Sequence, residues 1–436
     1  MKGAVVKNAG GAGMIVLNNL TLGYSTLAEP HVLPASHIDY PASSAVRSYL
    51  NSTASPVAQI VFGGTVLGTS PAPSIAFFSS RGPSVQDPGI LKPDITGPGV
   101  NVLAAWPFKV GPTDQTLSGV SGGGPTFNFL PGTSISTAHL SGIAAIIKSK
   151  YPDWSPAAIK SAIMTTADVT DRSGNPILDE KHQPADWFAT GAGHVNPEKA
   201  MDPGLAYDID PSDYVGYLCG LYTSEEVSMI ARRAVNCSNI TVIPDSMLNY
   251  PSISVVFPQT WNRSMPVVVQ RTVKNVGKVP STYTPKVDMP AGDVTIDVSP
   301  SELVFTEMNQ EQSFKLTVWP RQNGTKVVQG ALLWVSGAYT VRSPISISFT
   351  WNRSMPMLVQ RTVKNVGKVP STYTPKVDMP AGVVTIDVSP SQLVFTEMNQ
   401  EQSFKVTVWP GQNGTKVVQG ALRWVYGTCT IRSPIS

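Results

Sequence analysis

Ser134 lies where a short apolar strand is predicted to turn into a helix. An apolar run at 127–130 is followed by a Pro-Gly pair, and a helix is predicted to begin near Thr133 or Ser134. A hydroxyl there lies at the positive end of a helix dipole, and the unpaired N–H groups of the first turn can donate to an oxyanion. The same pattern is typical of an ordinary helix cap. The residues alone therefore leave both a nucleophile and a plain cap open.

The histidines give Ser134 no obvious base. His139 is five positions further along the predicted helix, about 140° beyond a full turn, so the two side chains should diverge. A different hydrolase using Ser134 with a local base is therefore disfavoured. Structural or solvated roles are expected for the remaining four histidines, which are His31, His37, His182 and His194. No His, Cys, Asp or Glu cluster has metal-ligand spacing, so neither a metal nor a cofactor is predicted.

The stretch from Gly132 to Gly142 reads Gly-Thr-Ser-x-Ser-x-x-His-x-Ser-Gly. It resembles the nucleophile motif of the subtilases, the subtilisin-like serine proteases, and especially their plant secreted branch. The resemblance implies that Ser134 is the nucleophile and that His139 is a non-catalytic histidine of the motif. It extends over nearly the whole chain, because further motifs typical of the family stand in order at 78–83, 91–95, 151–167, 191–197 and 202–208.

The resemblance implies a multidomain protein with a partial α/β subtilisin-like catalytic domain. Residues 1–65 resemble the C-terminal part of a β-rich protease-associated domain, and 66–244 the C-terminal part of the catalytic domain. Residues 245–350 resemble an all-β fibronectin-III-like domain, and 351–436 a near-identical second copy that could be incomplete. We expect helices over 43–51, 135–150 and 157–166, and strands at 75–78, 100–105 and 126–130, within a mostly parallel catalytic sheet.

The C-terminal repeat is unusually close. Trp261–Ser346 recurs as Trp351–Ser436 with 11 differences in 86 aligned positions. The first copy begins with Leu-Asn-Tyr-Pro-Ser at 248–252, whereas the second has no such start, so the stretch Pro344–Phe349 would have to end one module and begin the other. One strand does not easily serve two sandwiches. We therefore predict one well-formed module and one strained or incomplete module, with the second copy favoured as the latter, and its open edge would favour association.

The other catalytic groups of the family are not recognisable. Serine acyl transfer needs a base, an acid that orients the base, and oxyanion donors. In subtilases the Asp, His and oxyanion Asn precede the protease-associated insert, and neither Asp-Thr-Gly, Asp-Ser-Gly nor His-Gly-Thr-His occurs here. The chain is therefore predicted to be close to inert as given. Three residues also depart from the family pattern near the nucleophile, namely Gly97, Pro131 and Ala138.

Two functions from different classes follow. The first is a serine-type endopeptidase that forms an acyl-enzyme on Ser134 and acts on protein or peptide substrates. The alternative is a secreted, degenerate protease that acts as a binding module. A scattered net charge of +3 in 436 residues gives no reason to expect nucleic acid. No apolar run approaches the roughly 20 residues of a membrane helix, so no membrane partner is predicted. Besides substrates, the only partner predicted is a second copy of the chain, bound through the protease-associated domain or the open-edged β domain.

Several features suggest an extracellular glycoprotein. The resemblance implies secretion to the apoplast or cell wall, although Met1–Asn8 does not read as a signal peptide. It also implies a disulfide between Cys219 and Cys237, with two buried thiols as the alternative. Cys429 is left over, and its counterpart in the first copy is Tyr339. Eight glycosylation sequons occur, at Asn19, Asn51, Asn236, Asn239, Asn262, Asn323, Asn352 and Asn413.

Overall fold

The computed structural model describes residues 2–84, 87–106, 127–257, 265–290, 292, 294–320, 327–349, 357–379, 384–410, 420–427 and 429–435. The chain divides into two compact units. One comprises Met1–Phe257 with Trp261–Phe349, and the other Pro258–Thr260 with Thr350–Ser436. No helix within these described ranges is both long and apolar enough to cross a bilayer.

The N-terminal region is built around one parallel strand pair. Strand β1 bonds to β2 in parallel, with Met14 opposite Ala35. The predicted helix over 43–51 is present as α2, because Asp39 caps it by accepting from the N–H of Ala42 at 2.9 Å. The region is less β-rich than the resemblance suggests, since the apolar run at 3–6 is helical. The elements are α1 Lys2–Asn8, β1 Met14–Leu17, β2 Ala35–Ile38 and α2 Tyr40–Ser52.

The middle region carries two long helices and a short hairpin-like pair of strands. Strands β3 and β4 are antiparallel, with Val102 opposite Leu130. Parallel contacts in its described residues are isolated bridges such as Ser74 with Leu178. The strand predicted at 75–78 is absent, since the buried residues Ile75 and Ala76 lead directly into a turn at 77–78. A strand needs a bonded neighbour along its length, and 75–78 has only the bridge before it. The first elements are β3 Val102–Ala105, β4 Phe127–Leu130, α3 Thr133–Lys150 and α4 Pro156–Thr165.

Helix α4 forms the centre of the middle region. Ser155 caps it by accepting from the N–H of Ala158 at 2.9 Å, and Pro156 supplies the fixed φ of the first turn. Eight of its ten residues are buried. Helix α3 packs against it with Ile147, its one buried side chain. The following elements are α5 Trp187–Thr190, α6 Pro197–Ala200, β5 Leu205–Ala206, α7 Pro211–Cys219 and α8 Ser224–Ala231.

The first C-terminal module is a two-sheet β-sandwich. Its sheets have the strand orders β10-β8-β12-β13-β6 and β5-β7-β11-β9. The core includes Trp334 and Phe314, whose rings meet edge to face at 5.0 Å. Its strands are β6 Ile253–Phe257, β7 Val267–Asn275, β8 Ser281–Asp288, β9 Val294–Ser299, β10 Leu303–Phe305, β11 Glu311–Pro320, β12 Val328–Ser336 and β13 Tyr339–Phe349.

The second module repeats this sandwich with one strand fewer in each sheet. Its described sheets have the orders β14-β18-β16 and β17-β15-β19-β20. The aromatic pair recurs as Trp424 and Phe404, again at 5.0 Å. Its strands are β14 Met357–Lys364, β15 Ser371–Asp378, β16 Val384–Ser389, β17 Leu393–Phe395, β18 Glu401–Pro410, β19 Gly420–Tyr426 and β20 Cys429–Ile435.

Candidate active site

The turn before α3 places Ser134 at the start of the helix. Gly132 occupies the N-cap position with φ of 153° and offers no side chain to the helix. Its N–H donates to the carbonyl of Gly99 at 2.8 Å, and its carbonyl accepts from Ile135 N–H at 3.1 Å. Ser134 is the second residue of the helix and is exposed. Ser134 is therefore accessible to solvent at the positive end of α3.

A second contact fixes the first turn of α3 against the segment 97–99. The hydroxyl of Ser136 donates to the carbonyl of Gly97 at 2.9 Å. A Cβ at Gly99 would lie 2.8 Å from the carbonyl oxygen of Gly132 and closer still to the hydroxyl of Ser136. Glycine at position 99 is thus required for the close approach that holds the turn. No spacing or motif in the sequence signalled this support.

A cleft of about 940 Å³ opens beside this turn. Thr133 and Ser136, on either side of Ser134 in the sequence, are among its lining residues. Its other walls come from 24–26, 69, 71–76, 78–79, 96–101, 168, 170–172 and 194, and Ser134 itself is not among the lining residues. A cleft of this volume is within the usual range of ligand pockets. The first turn of α3 therefore borders a space that can hold a ligand.

His194, on the wall of the cleft, has a structural role. Its main chain exchanges two hydrogen bonds of 2.8 Å with Asp168, and its Nδ1 lies 3.0 Å from the carbonyl of Val195. Burial lowers the pKa of His194, which keeps the ring neutral near pH 7. Its side chain is thus directed at its own backbone segment.

The other four histidines are also engaged away from Ser134. His139 approaches the carbonyl of Ile135 on its own helix at 3.1 Å, as the divergence along the helix predicts. His37 accepts from Leu27 N–H at 3.0 Å and contacts Asn18 at 2.7 Å. His31 lies 3.8 Å from Glu29, and His182 stacks on Tyr24 at 3.4 Å. The hydrogen bonds found among the described residues include none between a histidine and Ser134.

The acidic groups near the cleft hold the structure together. Asp168 accepts from Lys199 at 2.6 Å and from Asn196 at 2.9 Å. Burial raises the pKa of Asp168, but these hydrogen bonds outweigh burial, so its pKa lies below the ordinary value. Within the described ranges, no group of three or more His, Cys, Asp or Glu side chains could hold a metal ion.

Sequence comparison agrees with this geometry. Residues 21–193 match the subtilase family, and residues 247–347 and 345–436 each match a fibronectin type-III domain. The chain therefore combines a subtilase-family domain with two fibronectin-III-like domains.

Several curated subtilases of Arabidopsis thaliana are similar to this chain. The chain is 45% identical to the subtilisin-like protease SBT1.2 over 80% of its own length, covering 46% of that protein. It is 44% identical to the subtilisin-like protease SBT5.3 over 79% of its length, covering 44% of that protein. The chain therefore spans about half the length of these relatives. Among solved structures, the Pseudomonas aeruginosa chaperone CupB2 aligns with 41% of this chain and 95% of the chaperone chain. The TM-score is 0.18 and the identity 12%, which is too weak a likeness to indicate a shared fold.

The sequence also singled out three cysteines and eight sequon asparagines. Cys219 and Cys237 are joined by a disulfide with an S–S distance of 2.07 Å, and Cys429 is free and exposed. The bond ties the end of α7 to the segment after α8. Four sequon asparagines are exposed, namely Asn19, Asn51, Asn236 and Asn239. The other four, Asn262, Asn323, Asn352 and Asn413, lie outside the described residues.

Proposed function

We propose that the chain carries the nucleophile of a serine-type endopeptidase and that Ser134 forms the acyl-enzyme. The observation that carries this proposal is the position of Ser134, exposed in the first turn of α3 and beside a cleft of about 940 Å³. The match to the subtilase family supports the same chemistry. Protein or peptide substrates follow from that chemistry.

In the proposed reaction, the hydroxyl oxygen of Ser134 attacks the carbonyl carbon of a peptide bond, and a tetrahedral oxyanion forms. The N–H of Ser134 and the positive end of α3 would stabilise that oxyanion. The hydroxyl proton needs a base, and each of the five histidines is engaged elsewhere. Loss of the base lowers kcat by about 10⁶ in subtilisin. We therefore propose that the chain by itself is nearly inactive.

Secretion belongs to the same proposal. Exposure of the four described sequon asparagines and the disulfide between Cys219 and Cys237 support an extracellular glycoprotein. The domain boundaries at 65, 244 and 350 remain predictions, since the two compact units divide the chain only at 258–260 and near residue 349.

A binding function without catalysis is the second candidate. It is favoured by the exposed surface of α3, where Ile146 is 58% exposed, and by the duplicated β module. Such a protein would bind peptides through the cleft without reacting with them. The two candidates differ in whether Ser134 reacts covalently with an electrophile.

Chemical rescue with imidazole tests the proposal. A fluorophosphonate probe should label the chain slowly, and added imidazole should accelerate labelling because it can accept the Ser134 proton. Ser134→Ala should abolish the imidazole-dependent part, whereas Ser141→Ala, a change at an exposed serine on the same helix, should leave it intact. Rapid labelling without imidazole would contradict the predicted inactivity. Labelling that is identical in Ser134→Ala would overturn the nucleophile assignment.

A further inference from the structure

One face of the first module is buried against the middle region. Arg342 stacks over the ring of Trp187 at 4.6 Å and donates to the carbonyl of Ala192 at 3.0 Å. Ser343 is fully buried, and its hydroxyl lies 2.7 Å from that of Tyr207. An arginine and a serine of β13 thus anchor the module through an aromatic ring, a carbonyl and a phenol.

Both sheets of the first module are also extended by strands from before the module core. Strand β5 bonds to β7, with Leu205 opposite Asn275, and β6 bonds in parallel to β13, with Ile253 opposite Ile345. Buried Arg271 donates to the backbone carbonyls of the segment 246–252. We call Trp187, Ala192, β5, Tyr207 and 246–257 together the acceptor surface.

The second module keeps the residues that bind the acceptor surface. At the repeat offset of 90, Arg271, Arg342 and Ser343 correspond to the identical residues Arg361, Arg432 and Ser433. One contact residue of the first module is not kept in the second. Tyr339 donates to Asp202 at 3.0 Å, and its counterpart is Cys429.

In the second module the corresponding face is uncovered. Val341 is 0% exposed in the first module, whereas its counterpart Ile431 is 52% exposed. Arg361, Arg432 and Ser433 are exposed as well. In the described sheets, β14 and β20 are edge strands, at the places where β7 and β13 pair with β5 and β6. The face therefore has unpaired strand edges together with an exposed apolar side chain.

We propose that this face of the second module, formed by β14 and β20, is a second docking face that binds the acceptor surface of a second copy of this chain. The preserved Arg432 matches the ring of Trp187 and the carbonyl of Ala192 on that surface. Pairing of β20 with itself across a two-fold axis would bring Arg432 of both copies together and is disfavoured. The first module already occupies the acceptor surface of its own chain and has Tyr339. The second module of another copy therefore binds that surface less well than the first module does. The exchanged dimer is thus a minor species until docking of the first module is weakened.

Cross-linking of the full chain tests this docking. Tyr339 contacts Asp202, so a docked second module would bring Cys429 close to position 202. Asp202→Cys, treated with a short bismaleimide, should give covalent dimers that join Cys429 of one copy to the new cysteine of another. Arg342→Ala should raise the dimer yield several-fold by freeing the acceptor surface. Arg432→Ala should lower it, and Cys429→Ser should abolish it.

A proximity control uses Met308→Cys in place of the change at 202, because Met308 is 53% exposed and lies outside the acceptor surface. Equal dimer yields from positions 202 and 308 would show random collision and overturn the proposal. So would the absence of dimers in the Arg342→Ala background, or a yield that Arg432→Ala does not change. Cross-links confined to single chains would overturn the assignment to a second copy. Circular dichroism of each variant shows whether it remains folded.

Discussion

Ser134 depends on neighbours that have little or no side chain. Gly99 and Gly132 bring two backbone segments together at 2.8 Å, and the hydroxyl of Ser136 adds a contact to Gly97. These contacts hold the first turn of α3 against the wall of the cleft. Small shifts at such a turn have large effects on reactivity, since a nucleophile must be placed to within a fraction of an ångström.

Gly99→Ala should disturb this turn, because the new methyl group would overlap the hydroxyl of Ser136 and approach the carbonyl of Gly132. We expect a loss of about 1–3 kcal/mol in the free energy of unfolding, measured by denaturant titration, and slower imidazole-dependent labelling of Ser134. Gly142→Ala is the matched control, since a Cβ there meets nothing within 4 Å. It should stabilise by up to about 1 kcal/mol; an equal loss in both variants would contradict the overlap argument.

The contacts of Asp94 should make the stability of the protein depend on pH. It accepts from Tyr250 at 2.7 Å and from Lys92 at 2.8 Å. Burial raises its pKa, but the charges of Lys160 and Lys92 and the hydrogen bonds outweigh burial, so the folded pKa lies below the ordinary value of 3.8. The stability that ionised Asp94 contributes is therefore complete above its unfolded pKa and is lost as pH falls through the lower folded pKa.

Asp94→Asn should consequently reduce stability at neutral pH, and the difference from wild type should shrink below about pH 4, the unfolded pKa. Thermal unfolding measured in steps from neutral pH to well below pH 4 follows this difference. Asp153→Asn changes an exposed aspartate and is the control. A gap between Asp94→Asn and wild type that stays constant with pH would rule out the proposed ionisation.

Helix α3 shows how an element can be long and yet poorly buried. It spans 18 residues, and Ile147 is its only buried side chain, although neighbouring Ile146 is just as apolar. Adjacent helical positions differ by about 100° in direction. Ile147 therefore points at α4 while Ile146 points away from it.

Two substitutions on α3 should separate these directions. Ile147→Ala should cost about 2–5 kcal/mol, because it leaves a cavity in a packed cluster. Ile146→Ala should stay within about 0.5 kcal/mol, because Ile146 is 58% exposed. Chemical denaturation measures both. A comparable loss for Ile146→Ala would mean that this face of α3 is covered in solution.

At the scale of the whole molecule, two nearly identical modules lie in different compact units. The first is completed by β5 and β6 and shares its core cluster with Leu205 and Tyr207. The second has a smaller described core cluster and fewer strands. Nearly equal sequences thus have unequal packing, because the added strands lie before the first copy.

Calorimetry should accordingly show two unfolding transitions, with the lower one belonging to the second module. Leu422→Ala should lower only that transition, since Leu422 is 2% exposed in the second core. Leu332→Ala, at the equivalent and fully buried position of the first module, should lower only the upper one. Each change should cost about 2–5 kcal/mol. A single transition shifted equally by both substitutions would show that the units unfold together.

Local patterns in the sequence were enough to place several features. The cap at Ser155, the helix spacing of α3 and α4, and the strand alternation of the modules predicted these elements, whereas the N-cap of α3 is Gly132 and not Thr133 or Ser134. The motif around Ser134 carried the family, which comparison confirmed. These features depend on residues that are close together in the chain, so they can be predicted from the spacing of residue types.

Other features were decided only by the tertiary structure. The turn at a predicted strand, the hydrogen bond between Ser136 and Gly97, the Asp94 cluster and the unequal burial of Val341 and Ile431 all depend on distant segments. Burial and hydrogen bonding arise when such segments meet, and the repeat shows this directly. Two sequences with 75 identities in 86 positions differ in exposure because only one has β5 and β6 beside it.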